Sequence, residues 1–163
     1  MSRAFCPFTF ATMLALAVVS AAQTKPDFSG TWTMDESRSV SATQDAFVGP
    51  VVWTIQQGER TVVVDIKRGP KQFTLTFPVL KSTPTGPPDD VPSARAFWNE
   101  DRLITELAQS VQGQAVITRE EWRLQAGGRE LLIDRLVNIQ HGYTMRGARS
   151  YNTAKDVFVK AVP

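Results

Sequence analysis

Beyond Lys25 the chain alternates apolar and polar residues at period two through segment after segment, and short clusters of Gly, Pro, Asn or Asp break the alternation. Period two is the spacing at which successive side chains of an extended strand fall on opposite faces, so the pattern predicts strands joined by tight turns. The predicted strands are 29–34, 51–57, 61–67, 72–77, 94–98, 102–109, 115–125, 130–140 and 143–151, with 156–160 adding one more or extending the last. Turns at Gly58-Glu59, Gly69-Pro70, Asn99 to Asp101, Gly127-Gly128 and His141-Gly142 are short enough to join neighbouring strands directly. The fold class that follows is all-β: an antiparallel up-and-down meander of eight to ten strands, a number that invites closure into a barrel.

Two stretches interrupt the meander. Residues 35–50 are polar and Ser/Thr-rich, with room for one short helix. Residues 78–92 hold five of the ten prolines. Proline withdraws backbone donors from a ladder, which predicts an extended surface loop, either a plain connector or a lid over a site. Nothing divides the rest, so 23–163 is read as one domain.

The Gly127-Gly128 turn sets the register of its hairpin. Pairing centred there places Trp122 opposite Ile133, Leu124 opposite Leu131 and Glu120 opposite Arg135. The same face carries Val116, Thr118, Val137 and Ile139, and Leu103, Thr105 and Leu107 of the preceding strand join it. The other face presents Arg119, Glu121, Arg123, Asp134 and Asn138, so the first face is predicted to point inward. Glu120 and Arg135 then form an opposite-charge pair against apolar walls, either within a site or at a partly solvated rim. On the last strand Tyr143, Met145, Gly147, Arg149 and Tyr151 are read as the inward set, which requires a bulge beside Gly142. Trp32, Trp53, Trp98 and Trp122 sit on strands without a fixed period and are read as core packing.

Composition adds limits. In the first 22 residues Arg3 is the only charge, 8–19 are largely apolar, and Ser20-Ala21-Ala22 offers small residues before a cut, which reads as a signal peptide. Roughly a dozen apolar residues are too few to span a ~30 Å hydrocarbon core, so no membrane span is expected after cleavage. The remaining 23–163 hold 17 basic and 16 acidic residues, net +1, and no Cys. A periplasmic or secreted protein that needs no disulfide is expected. The whole chain of 163 residues is 42% hydrophobic and 21% charged with net charge +2, which offers no basic field for nucleic acid. One Cys and one His lack the parts of a Cys/His zinc site, and His141 lies in a turn. No metal, cofactor or catalytic residue is expected. Because closure hides strand edges, a monomer is.

Asp27-Phe28-Ser29-Gly30-Thr31-Trp32 places a Gly-x-Trp on the first strand, and Arg149-Ser150-Tyr151 places an Arg-x-Tyr near the C-terminus. With the meander these resemble the calycins: lipocalins, fatty-acid-binding proteins and avidins. The stretches Phe97 to Glu106, Glu121-Trp122-Arg123-Leu124 and Glu130-Leu131-Leu132-Ile133 are similar to the later hairpins of such barrels, and to small exported bacterial lipocalin-like proteins of unassigned role. The resemblance implies that Trp32 plugs one barrel end with a late Arg across it, Arg149 or Arg146. It also implies that Arg149 and Tyr151 hold a ligand carboxylate.

The ligand-binding set expected on these grounds is Arg149, Tyr151, Arg135, Glu120, Trp122, Ile133, Val137 and Met145, and the barrel-closing pair is Trp32 with Arg149. The function expected is an exported barrel that binds an apolar or amphipathic, even acidic, small molecule. Two alternatives stand beside it. One is a filled barrel acting as a structural or protein-interaction module, and the other is an enzyme using Glu120 with Arg135 on the same scaffold.

Overall fold

The computed structural model describes residues 25–40, 50–88, 90–140 and 150–161. Residues 1–24 with Arg3 and Cys6, and residues 141–149 with His141, Met145, Arg146 and Arg149, lie outside the described residues. Nine strands follow one another: β1 (Gly30–Met34), β2 (Val51–Gln57), β3 (Thr61–Arg68), β4 (Lys71–Pro78), β5 (Ser93–Asn99), β6 (Arg102–Val111), β7 (Gln114–Gln125), β8 (Glu130–Gln140) and β9 (Ser150–Lys160). They form one sheet in the order β4-β3-β2-β1-β9-β8-β7-β6-β5, and every neighbouring pair is antiparallel. The predicted alternation is visible in the burial. Val51, Trp53 and Ile55 of β2 and Val62, Val64 and Ile66 of β3 are buried, while most of the residues between them are not. The β-branched residues in these strands suit a pleated, half-buried surface.

The curled sheet closes between its two edge strands, and the odd strand count decides how. With nine strands in antiparallel order, edge strands β4 and β5 run in the same direction. Their meeting is parallel: Val79 bridges Ala96, and the Leu80 N–H donates to the Ala96 carbonyl at 2.8 Å. The barrel is thus nearly closed, with a short seam. A parallel neighbour cannot be reached by a tight turn, so the chain must return the length of a strand outside the sheet. That return is the proline-rich segment 79–92. The Arg95 guanidinium donates to the Gly86 carbonyl, and Pro84 to Pro88 face Glu106, Ile117 and Leu136 of the outer wall across a hollow of about 280 Å³. The segment therefore runs along the outside of the barrel.

The β7–β8 hairpin has the expected register, with Trp122 opposite Ile133, Leu124 opposite Leu131 and Glu120 opposite Arg135. Its turn is longer than two residues. A short 3-10 turn, Ala126–Gly128, precedes Arg129, and Ala126, Gly127 and Gly128 all have positive φ, but the centre of the pairing is unchanged. The end of the chain differs from expectation. Ile139 pairs with Ser150 and Leu131 with Phe158, so ten residues separate the paired positions where a His141-Gly142 turn with an adjacent bulge had been expected. The last strand runs from Ser150 to Lys160, so it takes in the optional 156–160, while 143–149 of the expected strand lie outside the described residues. In this register Asn152, Ala154, Asp156 and Phe158 stand opposite the inward residues Val137, Arg135, Ile133 and Leu131.

One barrel end is filled by aromatic rings. Trp32 is fully buried and donates its indole N–H to the Phe28 carbonyl at 2.8 Å, and Phe28 stacks on Trp98 and meets Trp122 edge-on. Trp32 pairs with Lys160 across β1 and β9, and the Lys160 ammonium sits 5.1 Å from the Trp32 ring centre. Lys160 is thus a cation packed over Trp32, while Arg149 and Arg146, to which the resemblance assigns that place, lie outside the described residues. The Gly of the Gly-x-Trp makes room for the Lys160 side chain. A Cβ on Gly30 would lie 2.8 Å from Lys160 Cε, and Gly30 has φ +134°, a conformation that side chains rarely adopt.

Gly30→Ala is expected to destabilise the protein by roughly 1–3 kcal/mol, measured by urea denaturation followed through Trp fluorescence. Shortening the neighbour with Lys160→Ala should return only part of that loss, because the backbone conformation at residue 30 is unchanged. Full recovery in the double variant would show that the clash alone matters.

Candidate functional site

Inside the barrel, beyond the aromatic end, lies a cavity of about 400 Å³. Its floor is Trp53 and Trp122, whose ring centres are 5.6 Å apart. One wall is Val64, Ile66, Phe73 and Leu75 of β3 and β4, and the other is Val116, Thr118 and Val137 of β7 and β8. Phe73 is 46% exposed and Arg68 is exposed, so the cavity opens to solvent at that rim. Each wall residue is every second one along its strand, which is why hairpins of plain alternating sequence are enough to line it.

The polar groups gather on one side. The Arg135 Nε donates to Glu120 Oε1 at 2.7 Å, and Arg135 Nη1 lies 2.8 Å from Asp156 Oδ2. Glu120 is held further by the Trp122 indole N–H, which donates to its Oε2 at 2.9 Å, and by the Thr105 hydroxyl at 3.4 Å. The side chains of Glu120 and Arg135 are 12% and 15% exposed, and that of Asp156 is 1% exposed. Three strands, β7, β8 and β9, therefore carry two carboxylates to one guanidinium inside the lumen. Neither oxygen of Asp156 has a well-directed hydrogen-bond donor among the described residues, although Oδ2 is close to Arg135. Burial is the strongest influence on Asp156 and pushes its pKa up from 3.8; Arg135 opposes this and Glu120 reinforces it. For Arg135, burial alone would favour the neutral form, but Glu120 and Asp156 outweigh it and hold its pKa above the ordinary value.

The structure thus brings together Glu120, Trp122, Arg135 and Val137 of the expected ligand set at one cavity. Ile133 is fully buried beside Trp122, in the packed core rather than on the cavity wall. Met145 and Arg149 lie outside the described residues; the backbone of Tyr151 is in register with Asn138, and its side chain also lies outside them. Glu121 points the other way, to Arg102 and Arg123 on the outer surface. Phe73 and Arg68 line the cavity and Asp156 lies beside Arg135, and none of the three is in the expected set. Asp156 was part of an optional strand, though an acid alternating with Ala154 and Phe158 was a signal of an inward charge. Phe73 and Arg68 join the site only because the sheet curls round to face β7 and β8.

Asp156 makes a pH signature. A folded-state pKa above the unfolded one contributes stability that is full below about 3.8 and is lost as pH rises through the folded value. Asp156→Asn removes this titration. The stability of wild type relative to the variant is therefore expected to fall as pH rises from the ordinary carboxylate range towards neutrality, read by urea midpoints at a series of pH values. A difference that does not change with pH would rule out the burial-shifted acid.

No protein-family model and no curated protein sequence matches this chain. Solved structures do. The chain is similar to the wild-type fluorescent protein UnaG at 15% identity and a TM-score of 0.50, covering 82% of this chain and 97% of that one. It also matches human cRBP IV at 14% identity and a TM-score of 0.44, covering 83% and 99%, and the REP1-NXSQ fatty acid transporter at 7% identity and 0.42, covering 83% and 97%. With the nine-stranded sheet and its near closure, the likeness to UnaG shows the fold, a nearly closed calycin-like antiparallel β-barrel.

Proposed function

We propose that this chain is an exported barrel, periplasmic or secreted, that binds an apolar or amphipathic small molecule in its lumen. The observation that carries the binding reading is the open cavity of about 400 Å³, walled by apolar side chains with a few convergent polar groups on one side. That combination is the usual form of a small-molecule site, and the volume is within the ~300–1,000 Å³ typical of one. A barrel whose only task is structural has no reason to leave such a space, since interiors otherwise pack to near-crystalline density and each void forfeits contacts. This argues against the filled-barrel alternative. Export is supported by the leader pattern of 1–22 and by a chain whose single Cys lies within that leader. An acidic ligand head gripped by Arg149 and Tyr151 rests on the Arg-x-Tyr resemblance alone.

Titration of residues 23–163 with Nile red, an uncharged dye that brightens in apolar surroundings, is expected to give saturable binding of one dye per chain. Val137→Trp, which puts a large ring into the cavity, should weaken binding at least about tenfold, equivalent to ~1.4 kcal/mol, with little change in the urea midpoint. Val159→Trp, at a position 41% exposed on β9, serves as the control and should leave binding unchanged. Absence of saturable binding to the unmodified barrel, or equal loss in both variants, would overturn the reading.

A further inference from the structure

We propose that the ligand is a single-chain amphiphile with an anionic head, bound tail first: its apolar chain fills the lumen and its head stays at the mouth, where Arg68 and Lys71 receive it. The inference rests on the small-molecule reading above and deepens it. β3 and β4 carry the alternation of the cavity wall up to their shared turn. On β3 Val62, Val64 and Ile66 are buried and Arg68 is the next residue of that series; on β4 the series runs back through Phe77, Leu75 and Phe73 to Lys71. On both strands the apolar series thus ends in a cation, and the two cations stand directly opposite each other in the last pair of the hairpin. Like charges placed so destabilise a ladder, and neither Arg68 nor Lys71 has an ion pair among the described residues. An anion at the mouth relieves that repulsion. Arg68 is exposed and lines the cavity, and Phe73, one inward position further along β4, is 46% exposed, an apolar surface that a chain entering the lumen would cover.

The interior sets the direction of binding. Arg135 is the other cation of the lining, and Glu120 alone matches its charge when Asp156 keeps its proton; when Asp156 is ionised the group carries one negative charge more than positive. Among the described residues, no positive charge is therefore left over inside for an anionic head, and the floor is the two rings of Trp53 and Trp122. An anion drawn inside would lose its water without gaining a counter-charge. At the mouth it keeps water on one side and meets two cations on the other, whereas a cationic head meets the same pair as repulsion.

The test is displacement of Nile red from the barrel of residues 23–163 by decanoate, decylamine and decanedioate at neutral pH. At about 20 mM salt, decanoate is expected to displace the dye at least about tenfold more tightly than decylamine, whose head has the opposite charge. That preference should shrink at least about threefold at about 500 mM salt, where exposed charges are screened. The double variant Arg68→Gln, Lys71→Gln should lose the preference to a similar degree; the preference is a ratio within one protein, so a change in the variant's affinity for the dye does not enter it. Arg60→Gln removes an exposed cation from the β2–β3 turn, beside the closed end, and should keep the preference. Decanedioate reads the direction. Tail-first binding forces its second carboxylate into the lumen, so it should bind at least about tenfold more weakly than decanoate, while a head bound inside would bring that second carboxylate to Arg68 and leave the two equal. Decylamine displacing as well as decanoate, a preference untouched in the double variant, or decanedioate matching decanoate would each overturn the inference while leaving the binding reading intact. Failure of the barrel to bind Nile red at all would sink the binding reading, and the inference with it.

Discussion

An arginine cannot lie inside an apolar barrel without carboxylates against it, and much of this structure is arranged around that requirement. Arg135 stands on β8, Glu120 on β7 and Asp156 on β9, so the ion group ties together three consecutive strands of the sheet. A one-residue slip of either neighbour would carry its carboxylate to the outer face and leave the guanidinium buried alone. Removing one partner of a buried pair typically costs about 3–5 kcal/mol, so the register of β7, β8 and β9 is held by charge as well as by apolar alternation. β9 also pairs with β1, and through it the N-terminal hairpins are set in register with the C-terminal ones.

The second constraint is topological. An odd number of strands in antiparallel order leaves the two edges parallel, and that fact accounts for the short seam, the long connector and its position on the outside. It also bears on edge protection. β4 and β5 meet only near Val79 and Ala96, so part of each edge lacks a strand partner, and the exposed Lys71, Gln72 and Thr74 on β4 are the kind of polar cover that discourages pairing with a second chain.

What was legible in the sequence follows from these two constraints. The β7–β8 hairpin could be read residue by residue because Gly127-Gly128 marks its centre and period-two alternation then fixes both faces, including the meeting of Glu120 with Arg135. The strands from 51 to 77 were legible for the same reason. The final strand was not, because its inward positions Asn152, Ala154, Asp156 and Phe158 mix polar with apolar residues, and docking on β8 and β1 sets its register. Lys160 over Trp32 was invisible from sequence, since the contact joins the first strand to the last and exists only once the sheet curls. The same holds for Phe73 and Arg68, which face Val116 and Val137 across a lumen that no local pattern specifies. The local rules thus reach one wall of the site and its charge pair, while the opposite wall is a product of closure.

The hollow itself is written in side-chain size. In the closed half of the barrel the inward positions are Phe28, Trp32, Trp53, Trp122 and Phe158, rings large enough to meet across the lumen, and Trp53 lies 4.8 Å from Phe158 between ring centres. In the open half the inward positions of β3, β7 and β8 include Val64, Val116, Thr118 and Val137, whose short branches stop well before the opposite wall. The change falls at Trp122, and there the ion group begins: the indole N–H of Trp122 holds Glu120, which holds Arg135, which lies beside Asp156. The packed half therefore positions the charges of the hollow half. Desolvated charges need rigid partners, because a carboxylate free to swing away would leave the guanidinium unpaired, and a wedged indole is a stiffer anchor than any group in the open half could be.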